Sequence, residues 1–197
     1  FDETERIDRS WFESKICKAL RAREPLRTRT EAIRVIFGEA DQLPGLVVDR
    51  YGDWLVTQFQ AAGVEAWREE IADILMQETG VKGIFDRSDA ATRHREGLQE
   101  RVEVLRGQEP PAEIEIQEDG IRYGIDVRKG HKTGFYIDQR DNRLLAQKLA
   151  AAFKQRHGRG MRALNCFCYT GGFSLALLAG GAEEVISVDS SAEALAM

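Results

Sequence analysis

The residues of this 197-residue chain best suited to chemistry cluster near its end. They are Asn165, Cys166, Phe167, Cys168, Tyr169, Thr170, Gly171 and Gly172, with Asp189 eighteen residues after Gly171. Leu164 to Cys166 read as the end of a strand and Phe173 onward as a helix. Two glycines between them let the backbone approach a ligand closely, and the helix start offers N–H groups with no internal partner. An acid about 20 residues beyond such a turn accepts hydrogen bonds from a ribose diol. A carboxylate suits that task because both hydroxyls donate and it presents paired acceptors. The constellation predicts an adenosine-type ligand. G-x-G-x-x-G is absent, as is the P-loop Lys-Ser/Thr, and bulky Phe167 and Tyr169 crowd the turn. An adenosine without phosphates, S-adenosylmethionine above all, fits better than a nucleotide; a nucleotide and a purely structural turn both stay open.

The elements that must position these residues form a βαβ unit. RALNCF is a strand, CYTGG a turn, FSLALLAGG a helix and EVISVD a second strand. That order demands a parallel sheet and an α/β domain. Before it, EIEIQEDGIRYGIDV alternates with period two around Asp119-Gly120, a hairpin signal, and a helix is expected from about Asp138 to His157. Upstream, Asp8–Arg23 reads as a helix stopped by Pro25. Three strand-like runs follow, the last two turning at Tyr51-Gly52-Asp53. VEAWREEIADILMQETG is an amphipathic helix closed by Gly80, and VKGIFDRSD a further strand. The polar stretch GLQERVEVLRGQEPPAE, with the double proline, is the expected boundary. The reading is a small α+β domain over 1–110, followed over 111–197 by the opening of a second, α/β domain.

Composition excludes other classes. With 43% hydrophobic and 31% charged residues the chain is globular, and no run approaches the roughly 18–20 apolar residues of a membrane span. The N-terminus is charged and lacks the apolar core of a secretory signal. Net charge is −5, yet residues 121–162 hold eleven Lys/Arg against three Asp, a +8 segment in an acidic remainder that can attract a polyanion locally or serve as a solvated helix face. Cys17, Cys166 and Cys168 form no disulfide framework, which suggests a reduced, cytoplasmic setting. His94, His131 and His157 are scattered, so no metal is expected.

HKTGFYIDQRDNR and ALNCFCYTGGFSLALLAGGAEEVISVDSSAEAL together resemble the class I methyltransferases of the ribosomal RNA large-subunit methyltransferase I family. GEADQLPGLVVDRYGDWLVTQF and IFDRSDAATRHREGL extend the likeness over nearly the whole chain. The resemblance implies a Rossmann-like methyltransferase domain and S-adenosylmethionine as cofactor. It also implies ribosomal RNA as partner and 5-methylcytosine as product. By resemblance Asn165, Cys166, Phe167, Thr170, Gly171 and Asp189 line the cofactor pocket. Phe135, Asp138, Gln139 and Arg140 close it, with Gln139 and Arg140 set against the methionine carboxylate, where Arg offers a bidentate fork. The family adds a cysteine thiolate to cytosine carbon-6. That cysteine and the Asp-Pro-Pro segment are expected beyond residue 197, since the prolines here are Pro25, Pro44, Pro110 and Pro111. Cys168 stands where the family has serine, and Cys17 is expected in a helix core. A chain starting at Phe1 and stopping in SSAEALAM reads as a piece lacking the family's PUA module and the rest of its catalytic domain, inactive by itself. Methylation of another RNA base such as guanine, or RNA binding without catalysis, are the alternatives.

Overall fold

The computed structural model describes residues 4–89, 91–130 and 132–197; His131 lies outside them. The fold is mixed α/β and divides into two compact units: residues 1–116 with 125–135, and residues 117–124 with 136–197.

In the first unit, α1 (Arg9–Arg23) is capped by Asp8, whose side chain accepts from the Trp11 N–H at 3.1 Å. Five strands follow: β1 (Ala32–Phe37), β2 (Leu46–Tyr51), β3 (Trp54–Phe59), β4 (Gly83–Ser88) and β5 (Arg101–Gly107). They form one sheet in sequence order. Neighbours are antiparallel except β3 and β4, whose parallel pairing is bridged by α2 (Ala62–Glu65) and α3 (Arg68–Thr79). The single helix expected from Val64 is broken at Trp67, which leaves helical geometry at φ −109°, ψ 15°. Helices α1 and α3 cover one face, where Phe12, Ile16, Ile33, Val48, Leu55, Ile71 and Leu75 form the core. Cys17, expected in that core, is half-buried at its margin, its thiol donating to Glu78 at 3.2 Å.

Strand β5 corrects the expected linker. Its residues are exposed apart from Leu105 and partly Arg106, so RVEVLRG carries the polar composition of a loop while pairing antiparallel with β4. Its charges are matched across the surface, Arg106 to Asp73 and Glu69, Glu103 to Arg68. An edge strand reads that way because charge discourages further pairing.

The other face of the sheet is covered by residues 125–135, which return after a hairpin. Strands alternate their side chains, so Asp49 and Tyr51 point away from the helices. Arg34 grips Asp49 bidentately at 2.8 Å, and Thr133 donates to the same carboxylate. Since the Thr133 proton is spent there, the Tyr51 hydroxyl must donate to Thr133, 2.8 Å away. Burial pushes the Tyr51 phenol far up and keeps it a donor. Arg87 adds a clamp from β4 to the Val127 carbonyl at 2.7 Å. Asp49, Tyr51 and Thr133 are fully buried. Thr133→Val keeps the shape and removes the hydroxyl, so stability is expected to fall by about 1–3 kcal/mol, the cost of under-bonded buried groups. Faster amide exchange at 126–135, with unchanged exchange in α1 and α3, is the measurement.

The hairpin is β6 (Ile114–Glu118) and β7 (Ile121–Ile125). Its turn has positive φ at both Asp119 (46°) and Gly120 (84°), the geometry Asp-Gly favours. In the second unit a 3-10 turn, Ile137–Gln139, leads into α4 (Arg140–His157), ended by Gly158 at φ 68°. Then come β8 (Arg162–Cys166), α5 (Gly172–Ala179), β9 (Glu184–Val188) and α6 (Ala192–Leu195). Strands β8 and β9 are parallel, with Leu164 opposite Ile186 and Cys166 opposite Val188. Helix α5 packs on α4 so closely at Gly180 that an added Cβ would lie 2.2 Å from the Gln147 carbonyl oxygen. Among the described residues no helix is long and apolar enough to cross a membrane.

Candidate functional site

The turn between β8 and α5 has an unusual backbone. Phe167 (φ 59°), Tyr169 (φ 51°) and Gly171 (φ 80°) are left-handed, while Cys168 and Thr170 between them are not. Glycine takes this conformation without cost, but for an aromatic residue it is strained and persists only where surrounding contacts impose it. Those contacts come from the end of β9. The Cys168 N–H donates to the Val188 carbonyl at 3.1 Å, and the Tyr169 N–H to Asp189 Oδ2 at 2.7 Å. Asp189 Oδ1 accepts from the Ser191 N–H at 2.9 Å. The Tyr169 ring meets Tyr136 edge-on, centroids 5.4 Å apart. Phe167 is 92% exposed.

The structure thus gathers Asn165, Cys166, Phe167, Thr170, Gly171 and Asp189 onto one strand–turn–helix and the adjoining strand end. Cys166 is exposed and Cys168 buried. An added Cβ at Gly171 would find only Ser174 Cβ, at 4.0 Å, so φ and not space selects glycine there; at Gly172 it would press on Arg143 Cδ at 3.4 Å. Asp138 and Gln139 lie on the 3-10 turn of the same unit, Gln139 donating to Asp138 at 3.2 Å and accepting from Asn142 at 2.9 Å. Arg140 opens α4, buried, its Nε donating to Glu118 Oε2 at 3.3 Å. Phe135 is buried and belongs to the first unit.

Sequence reasoning missed the groups that organise this unit. Glu118, 1% exposed, takes both Arg140 and Arg143, the latter at 2.8 Å. Arg143 also donates to the Tyr136 carbonyl at 2.9 Å and lies over the Tyr123 ring. Burial raises the Tyr123 phenol to about 12 against the pull of Arg143. A signal for Glu118 existed: it falls on the buried phase of β6 with Ile114 and Ile116, and a carboxylate there requires a cation. Asn165 Nδ2 donates to Ser174 Oγ at 2.9 Å, and Ser174 meets Ser187 at 2.7 Å. Among the described residues no group of three or more His, Cys, Asp or Glu could hold a metal.

This arrangement can bind a ligand that donates to a carboxylate at a strand end and lies against a glycine turn. Comparison with known proteins shows the family. A family described as S-adenosylmethionine-dependent methyltransferase matches residues 42–196. The ribosomal RNA large subunit methyltransferase I of Tolumonas auensis is 44% identical over 198 residues, covering 99% of this chain and 48% of the relative. The chain spans about half the length of the curated relatives it matches. Among solved structures, a SAM-dependent methyltransferase from Streptococcus mutans superposes with a TM-score of 0.82 at 26% identity, over 98% of this chain and 48% of that one. SMU.776, a methyltransferase complexed with SAH, matches with the same score, identity and coverage.

Proposed function

The chain belongs to the S-adenosylmethionine-dependent methyltransferases, and from that premise we propose that the protein methylates carbon-5 of a cytosine in large-subunit ribosomal RNA. The observation that carries the reading is the Asp189 carboxylate set against the left-handed turn at the ends of parallel strands. The name of the Tolumonas relative supports ribosomal RNA as the substrate. Both RNA and cofactor point to a cytoplasmic enzyme.

The residues present fit the family's cofactor. Asp189 would take the ribose hydroxyls, and the backbone of Phe167 to Gly171 would face the adenosine, with Asn165, Cys166 and Thr170 lining the same turn. Asp138, Gln139 and Arg140, on the approach to α4, would serve the amino-acid end. When bound, S-adenosylmethionine supplies an electrophilic methyl group on a sulfonium. The two cysteines of the turn are assigned to structure and not to attack on the base. Cys168 is buried with its sulfur 3.6 Å from the Tyr169 carbonyl oxygen, and Cys166 ends β8.

The test is methyl transfer by the full-length gene product to unmodified large-subunit ribosomal RNA tritiated at cytosine carbon-5. One methyl gained should release one tritium, because the entering group replaces that hydrogen. Methylation with tritium retained would move the target to another atom or base, such as a guanine. Absence of transfer would leave RNA binding without catalysis. The 197 residues by themselves are expected to give no turnover, since β8 and β9 form a two-stranded sheet with Leu164, Ile186 and Val188 exposed.

A further inference from the structure

A primary amide has a donor end and an acceptor end, and which end a ligand meets depends on what holds the other. Asn165 is the penultimate residue of β8, close to the left-handed turn, and its Nδ2 is committed to Ser174 Oγ at 2.9 Å. Ser174 lies in the first turn of α5, 6% exposed, and its Oγ is 2.7 Å from Ser187 Oγ on β9. Ser174 accepts from Asn165, and the Ser174–Ser187 bond, in which either hydroxyl can donate, holds the Ser174 oxygen in place. Three elements, β8, α5 and β9, are tied at one buried hydroxyl. Among the described residues Asn165 Oδ1 accepts no hydrogen bond, which leaves the amide's acceptor end for a ligand.

We propose that Ser174 is a positioning residue that, with Ser187, fixes the Asn165 amide so that its oxygen accepts from the ammonium of the cofactor's amino-acid arm. This rests on the cofactor reading above. Ser187 matters because its bond engages the Ser174 hydroxyl. Without that partner the hydroxyl is free to rotate and donate to Asn165 Oδ1, the amide turns over, and an N–H faces the ammonium. A donor facing a cation repels it, so the inverted amide loses the contact.

The experiment compares two ligands by calorimetry on the full-length protein. S-adenosylhomocysteine carries the amino-acid arm, and 5′-methylthioadenosine lacks it. Ser174→Ala and Ser187→Ala are each expected to weaken S-adenosylhomocysteine about 5–10-fold, the worth of one polar contact. Binding of 5′-methylthioadenosine should stay within about twofold, because its contacts avoid the amide. Ser187 is exposed at the sheet, so Ser187→Ala carries the test should Ser174→Ala fail to fold. Equal weakening of both ligands would show only a structural role and overturn the proposal, as would no change in either. Failure of the unmutated protein to bind either ligand would overturn the cofactor reading and this proposal with it. That outcome is told apart because it appears before any substitution.

Discussion

Asp189→Ala is expected to weaken S-adenosylhomocysteine binding by at least roughly a hundredfold, about 3 kcal/mol. That is the worth of one to two hydrogen bonds to a charged acceptor. The loss has two sources. On the proposed cofactor site the ribose hydroxyls lose a carboxylate, and the turn loses the bond from the Tyr169 N–H that holds a left-handed aromatic residue in place. Holding one non-glycine residue left-handed costs on the order of 1–2 kcal/mol, so the freed turn is expected to relax away from its binding shape. Asp189→Asn separates the two. The amide oxygen can still accept from Tyr169, so the turn survives while the charge is gone. Intermediate weakening with a protected Tyr169 amide is expected for asparagine, and full weakening with an exchanging amide for alanine. Unchanged calorimetric affinity in Asp189→Ala would remove Asp189 from the cofactor site.

Arg68→Met is expected to cost about 3–5 kcal/mol of stability at neutral pH, the scale for stripping one partner from a buried ion pair. Asp86 is fully buried on the helix side of β4, bonded to Ser88 and, at 3.0 Å, to Arg68 Nε. Burial raises the Asp86 pKa above its ordinary value, opposed by Ser88 and Arg68. Because the folded carboxyl holds its proton more tightly than the unfolded one, stability falls as pH rises from the unfolded value of about 3.9 through the folded value. Without Arg68 the folded value climbs further, and the window widens upward. The variant should therefore regain part of its loss on going from pH 7 to pH 5, relative to the unmutated protein. Denaturant melts at the two pH values check this. An Arg68→Met penalty independent of pH would mean that Asp86 carries no part of it.

Local pattern made much of this architecture legible. Asp119-Gly120 announced a hairpin whose turn has positive φ at both positions, and Thr170-Gly171-Gly172 announced the turn between β8 and α5. Such features depend on residues near each other in the chain. Strand β5 was hidden because an exposed edge strand has the composition of a linker. The coverage of the sheet's second face was hidden for another reason: Thr133 meets Asp49 across 84 positions. A threonine in a loop and an aspartate in a strand carry no mark of each other. Arg140 illustrates a third case. Its type suggested a carboxylate partner, and the structure gives its Nε one within the protein, Glu118, 22 positions earlier in the chain.

The return of residues 125–135 to the first unit has a consequence for how the molecule is made. A chain emerges from the ribosome in order, at about 5–20 residues per second. Strand β5 ends at Gly107, so all five strands and their helices are available before the covering segment exists. For the next 28 residues, roughly 1.5–6 s at that rate, Asp49 and Tyr51 face water on an open sheet. A pause in translation after β5 would prolong that exposure, and a nascent-chain release at residue 110 would yield a sheet lacking the Thr133 and Arg87 contacts. The first unit is therefore finished only once the hairpin that follows it has been synthesised.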